Sequence, residues 1–196
     1  MKYDTDKKEI ILDKELNELD KYVLEFIKIL EKHVDYVIIS GYVSILLGRS
    51  RSTEDIDLFI KRLDKNKFSD LYKDLIKNKY WCLNAEDSEE IYDYLINNFA
   101  VRFAKKDETI PNFEVKFPKN RLDEDAFEDH ITVILPMGRL KISSLERQIA
   151  FKRYYLKSNK DLEDAKHVEH IFKDKIDIEK IYKYKRVLEP YEKTNP

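Results

Sequence analysis

Two carboxylates, Asp55 and Asp57, sit two residues apart in the otherwise apolar run Asp55-Ile56-Asp57-Leu58-Phe59-Ile60. A strand repeats every second residue, so both acids share one face while Ile56, Leu58 and Ile60 share the other. Like charges held side by side against a sheet repel each other unless a cation neutralises them, and the hard oxygens of two aspartates suit a divalent ion. The alternative is a solvated acidic face, which antiparallel strands often carry. Upstream, the β-branched Val37 to Ile39 end at Ser40-Gly41, after which Tyr42 to Leu47 reads as a short apolar helix. Strand, small-residue turn and helix together make a seat for phosphate, because free amides at the helix start attract anions and a small residue permits close approach. Arg49 and Arg51 lie on the loop that leads to the carboxylates. Triphosphate on one side and metal on the other is the geometry implied.

These residues resemble the nucleotidyltransferase superfamily of the DNA polymerase beta type. Its signature is a hydrophobic residue, Gly, then Gly or Ser, followed after roughly a dozen residues by Asp-hydrophobic-Asp/Glu-hydrophobic. Ser40-Gly41 with Asp55-Ile56-Asp57-Leu58 approximates it, and GYVSILLGRSRSTEDIDLF is most similar to the small prokaryotic branch that includes the abortive-infection AbiEii-like toxins. One departure is Ser40 at the first glycine position, which a negative φ would accommodate.

The resemblance implies an α+β fold, a minimal nucleotidyltransferase with a mixed, twisted sheet flanked by helices. It divides the chain into a catalytic core over residues 1–142 and a C-terminal helical region over 143–196 that completes the nucleotide cleft. It further implies a nucleoside triphosphate donor such as ATP, a tRNA or protein hydroxyl as acceptor, and a two-ion Mg²⁺ site in which Mn²⁺ is the alternative metal. A toxin–antitoxin or phage-defence system, with a cognate antitoxin or toxin as partner, follows from the same likeness. The Ser40 departure keeps a second class open: a degenerate member that binds a nucleotide or a partner protein without turnover.

The remaining candidates depend on elements that must bring them to the aspartates. Asn112 to Pro118 alternates, with Phe113, Val115 and Phe117 on one face and Glu114 and Lys116 on the other. Glu114 resembles the family's further acidic residue, which completes the metal site and helps deprotonate the acceptor; cross-strand pairing on a solvated face is the alternative. Ser143-x-x-Glu146 reads as a capping box, so a helix starts there and runs to about Leu156. Lys152 falls on its inner stripe with Leu145, Ile149 and Leu156, and resembles the family's nucleotide-contacting lysine; snorkelling to water is the alternative. On the next helix Asp161 shares a stripe with Ala165, Val168 and Phe172, and the resemblance turns it toward the nucleotide cleft, with Asp164 as the alternative. An acid in a first turn also simply complements the helix dipole.

Helical spacing predicts a long amphipathic helix from Asp13 as cap, a second over Lys65 to Lys79, a third from Ser88 as cap to Phe99, and a last one over Ile178 to Leu188. On that last helix Tyr182 and Tyr184 interleave with Lys180, Lys183, Lys185 and Arg186, and a solvated face is expected. Tyr80 to Leu83, Ile131 to Leu135 and Arg139 to Ile142 read as strands; residues 1 to 12 give no clear assignment. His167 and His170 read as surface residues, and His33 and His130 show no evident partner.

At 196 residues the chain has room for a catalytic domain with a small helical appendage. Charged residues make up 39% yet nearly balance, with net charge -2, so nothing suggests a protein that coats nucleic acid. A single cysteine, Cys82, excludes an intramolecular disulfide and fits a reducing compartment. No stretch resembles a signal peptide and no apolar run is long enough for a membrane span, so a cytoplasmic location without membrane contact is expected.

Overall fold

In the computed structural model residues 1–192 are described, so 193–196 of the expected C-terminal region lie outside the described residues. The first half runs β1 (Lys2–Asp4), β2 (Glu9–Ile11), α1 (Glu18–Leu30), β3 (Tyr36–Ile38), α2 (Gly41–Leu46), β4 (Asp55–Ile60) and α3 (Lys65–Lys77). Then follow β5 (Tyr80–Cys82), α4 (Ser88–Ile96), β6 (Val101–Lys105), β7 (Asn112–Lys116), α5 (Arg121–Glu128), β8 (Ile131–Leu135) and β9 (Gly138–Ile142). The chain closes with α6 (Leu145–Ala150), a π-helical segment (Phe151–Leu156), α7 (Asn159–Ile171) and α8 (Ile178–Glu192).

The fold is α+β: among the described residues a mixed nine-stranded sheet, in the order β1-β2-β8-β9-β3-β4-β7-β6-β5, is flanked by helices. The strand pair that carries the acids is parallel, with Asp55 opposite Asn112 and Asp57 opposite Glu114. The alternation read from the sequence is kept, since Ile56, Leu58, Phe113 and Val115 are buried in the main core. Against that layer α1 packs Val23, Phe26, Ile27 and Leu30, and the Phe26 ring stacks on Phe113 with centroids 3.8 Å apart. The described residues contain no helix long and apolar enough to cross a membrane.

Several boundaries differ from those expected, for local reasons. Residues 1 to 12, left unassigned above, form β1 and β2, because β2 finds a parallel partner in the distant β8. Helix α1 begins at Glu18 and not after Asp13, because Asn17 and Asp20 form a reciprocal capping box, with Asn17 Oδ1 accepting from the Asp20 amide at 2.8 Å. Asp20 is itself fully buried, its carboxylate held by Lys14 at 2.8 Å and by the Tyr42 hydroxyl at 3.0 Å, which ties α1 to α2. Asp87, not Ser88, caps α4.

The expected box at Ser143 also moves by one. The Ser143 amide still donates to the Ile38 carbonyl at 2.9 Å, prolonging the β3–β9 pairing, so the chain leaves the sheet a residue later and Ser144 caps α6. Glu146 is then free to accept from Lys180 at 3.3 Å and from the Asp177 amide at 3.2 Å. On α8 the expected solvated face is in part structural: Lys180 and Tyr184 both bind Asp129, at 2.6 and 2.8 Å, while Tyr182 stays exposed. Three of the four histidines are structural as well, with His33 on Asp74 at 3.1 Å, His130 on the Phe127 carbonyl at 2.6 Å, and His167 on the Leu47 carbonyl at 3.2 Å, whereas His170 is exposed as expected.

Candidate active site

Asp55 and Asp57 lie on the wall of a cavity of about 220 Å³. Ser40 and Gly41 from the turn after β3 line the same cavity, together with Arg51 and Thr53 from the following loop. Its far wall comes from the C-terminal helices through Lys152, Lys160 and Asp161. The tertiary fold therefore gathers Ser40, Gly41, Arg51, Asp55, Asp57, Lys152 and Asp161 around one space, whereas Arg49, Glu114 and Asp164 line neither this cavity nor the adjoining one.

An adjoining pocket, of about 290 Å³, shares Ser40, Asp57, Lys152 and Leu156 with the first. Its character is different: Phe59, Phe151 and Tyr155 give it apolar walls, and Lys116 and Lys119 enter from β7 and the loop after it. Asp57 thus lines both a polar and a largely apolar compartment.

Behind Asp57 the charges are arranged in a row. The parallel register sets Glu114 beside Asp57, and Lys116, two residues on, shares the face of Glu114. The Lys116 ammonium lies 3.0 Å from Asp57 Oδ1 and 2.5 Å from Glu114 Oε1. The other Glu114 oxygen accepts from Arg102, its antiparallel neighbour on β6, at 2.5 Å. Burial pushes the Asp57 carboxyl above the usual carboxylate range, the Lys116 ammonium opposes this, and Glu114 and Asp55 add to the rise. At Glu114 burial acts in the same sense but Lys116 and Arg102 outweigh it and hold the carboxyl low. Lys116 in turn is kept protonated, because Asp57 and Glu114 more than offset the cost of its burial.

Ser40 does not adopt the negative φ that would have accommodated it: it stands at φ 62, ψ -133, a region that favours glycine. Gly41 also makes room for a neighbour, since a Cβ there would meet Arg51 Nη2 at 2.7 Å. The Arg51 guanidinium crosses over this glycine to reach α7, where Nε and Nη2 donate to Asp164 at 3.1 and 2.9 Å.

Lys152 is buried at 1% exposure and does not snorkel. Its ammonium donates to Asp161 at 3.1 Å and to Asp164 at 2.9 Å, so both acids weighed for the inward position face it. Asp164 is the more buried, at 0%, and burial opposes its charge, yet Arg51 and Lys152 hold its carboxyl below the usual range. Lys152 lies in the first turn of the π-helical segment, an irregularity common where a helix serves a site.

Asp55 and Asp57 offer hard oxygens on the cavity wall, and the register adds Asn112 beside Asp55, whose buried Oδ1 has no donor. These fit a divalent cation. Among the described residues no three His, Cys, Asp or Glu side chains form a ready cage, and Glu114 is engaged by Lys116 and Arg102.

The chain matches no protein-family model and no curated protein. Its three-dimensional likenesses are consistent. A crystal structure of ANT(2'')-Ia in complex with adenylyl-2''-tobramycin superposes with TM-score 0.55 at 12% identity, covering 87% of this chain and 97% of that one. The solution structure of the same antibiotic-resistance factor gives 0.53 at 15%, over 89% and 95%. An antigenic nucleotidyltransferase-like protein from Paracoccidioides brasiliensis gives 0.51 at 16%, over 85% of each chain. The fold is that of the nucleotidyltransferases.

Within this nucleotidyltransferase fold the sequence reading missed two side chains of the site. Arg102 lies on β6, a strand that was not foreseen. Lys116 was seen only as a solvated neighbour of Glu114, although its place two residues along the same strand was the available signal.

Proposed function

We propose that this chain is a metal-dependent nucleotidyltransferase that moves a nucleoside monophosphate from a nucleoside triphosphate to a hydroxyl acceptor. The observation that carries the reading is that Asp55 and Asp57 open together onto a cavity that the Ser40-Gly41 turn, Lys152 and Lys160 also line. A divalent ion such as Mg²⁺, held by Asp55 and Asp57, would neutralise phosphate charge and lower the pKa of a bound hydroxyl. Ser40 and Gly41 line the polar cavity as the triphosphate seat, and Lys152 on the facing wall counters negative charge that develops there. Arg51 and Asp161 hold that wall in place. The apolar pocket that Asp57 also lines suits a ring of nucleoside size against Phe59, Phe151 and Tyr155. The acceptor hydroxyl attacks the α-phosphorus in line, pyrophosphate leaves, and the hydroxyl proton passes to a carboxylate or water. On this reading residues 143–196 complete the cleft that residues 1–142 begin.

A tRNA end or a protein hydroxyl is the acceptor that the sequence resemblance favours, and a role in a toxin–antitoxin or phage-defence pair rests on that resemblance. ANT(2'')-Ia, seen with adenylyl-2''-tobramycin, adds a small hydroxylated molecule to the acceptors to be offered. A second reading, nucleotide or partner binding without turnover, draws on the internal pairing of the cations, since Arg51 and Lys152 are committed to Asp164 and Lys116 to Asp57.

Each α-labelled nucleoside triphosphate is incubated with Mg²⁺ and, separately, total tRNA, cell lysate or an aminoglycoside. Label moving in the wild type and lost by about a thousandfold or more in Asp55→Asn and Asp57→Asn supports the enzyme. Tight nucleotide binding with no transfer to any acceptor favours the second reading; neither binding nor transfer overturns the enzyme and nucleotide binding alike.

A further inference from the structure

We propose that the Lys116 ammonium is a built-in counter-cation of the candidate site, standing where a second divalent ion would have to sit, so that the site takes one divalent ion and not two. The inference rests on the reading of Asp55 and Asp57 as the metal-holding pair. A second ion in such a site would bridge Asp57 to the acid on the neighbouring strand, and that acid is Glu114, directly opposite in the register. The space between the two carboxylates is already spanned by Lys116, at 3.0 Å from one and 2.5 Å from the other. These are ammonium–carboxylate hydrogen-bond distances, so the bridging oxygens are satisfied.

Charge leads to the same conclusion. Asp57 and Glu114 carry two negative charges, and Lys116 and Arg102, both bound to Glu114, return two positive ones. That group is neutral before any ion arrives, which leaves Asp55 as the unbalanced acid of the row. A second divalent ion would enter beside an ammonium it repels, with Glu114 already bonded through both oxygens. Lys116 lines the pocket beside Asp57, whereas Glu114 lines neither cavity. Glu114 is in this account a positioning residue that fixes Lys116. The placement cannot relax easily, because Lys116 follows Glu114 by two residues on one strand and must share its face.

The test is Mn²⁺ binding to the full chain, read by electron paramagnetic resonance and titration calorimetry, with no substrate turnover required. The wild type is expected to bind one ion per chain at the tight site. Lys116→Met, which keeps the length and removes the charge, is expected to bind two, or to bind the first at least tenfold more tightly. Lys116→Arg, which keeps the charge, is expected to stay at one. A wild type that binds two ions, or a Lys116→Met variant indistinguishable from it, overturns the inference and leaves the metal reading standing. If the wild type binds no Mn²⁺ that Asp55→Asn/Asp57→Asn abolishes, the metal reading itself falls, and this inference with it.

Discussion

Gly41 and Arg51 are coupled through the absence of a side chain: a Cβ on Gly41 would lie 2.7 Å from Arg51 Nη2, the atom that donates to Asp164 at 2.9 Å. The glycine of the turn after β3 thus leaves room for Arg51 to reach α7. Arg51 belongs to the loop before β4, Asp164 to α7, and 113 residues of chain separate them.

Gly41→Ala is therefore expected to displace the guanidinium and to lower stability by about 2 kcal/mol, the scale of a charged hydrogen-bonded pair. Asp164→Asn is expected to cost about 3 kcal/mol or more, because it leaves the buried Lys152 and Arg51 short of a counter-charge. The two costs should not add. Urea unfolding of both single variants and the double variant checks this, and full additivity would mean that Gly41 does not act through the Arg51–Asp164 pair.

Acid should loosen the C-terminal helices before alkali does. Burial opposes ionisation at both Asp164 and Asp129, but Arg51 and Lys152 at the first, and Lys180, Ser144 and Tyr184 at the second, hold the carboxyls below the ordinary range. A depressed folded value contributes stability that is complete above the unfolded pKa, about 3.9, and is lost as pH falls through the folded one. Lys180 has the opposite sign: burial lowers its pKa, Asp129 and Glu146 outweigh that, and its contribution is lost only as pH climbs beyond about 10.4. Urea midpoints should hold from pH 7 to 5 and drop between pH 4 and 3, with a shallower acid limb in Asp164→Asn.

Ser40→Gly should stabilise the fold. A serine at φ 62, ψ -133 carries strain of about 1–3 kcal/mol, against about 0.5–1 kcal/mol of extra chain entropy lost by a glycine. The net gain is about 1 kcal/mol, read as a rise in the urea midpoint. A fall would mean that the serine side chain contributes more than its backbone costs. Ser40→Val, with a branched Cβ in the same conformation, should lose stability.

The aspartates, the turn before them and the strand of Glu114 were legible because each is a local pattern. A period of two puts Asp55 with Asp57 and Glu114 with Lys116 whatever the rest of the chain does. Lys152 announced itself in the same way, as a charge on an apolar helical stripe, and it is buried. Caps were less secure. Asn17, Asp87 and Ser144 each lie within a few residues of another good capping side chain, and tertiary hydrogen bonds, such as that from the Ser143 amide to Ile38, chose between them.

The sequence by itself determined which acids share a face, where the small-residue turn lies and that a cationic side chain points inward, since covalent periodicity alone sets these. Which face meets which was decided only in three dimensions. The parallel β4–β7 register aligns Asp57 with Glu114, β6 delivers Arg102, and α7 brings Asp161 and Asp164 to Lys152. Strand pairing joins segments far apart in the chain, and no residue spacing encodes it. That is why Glu114 could be read from the sequence as a ligand for metal, while its engagement by Lys116 and Arg102 emerged only from the folded sheet.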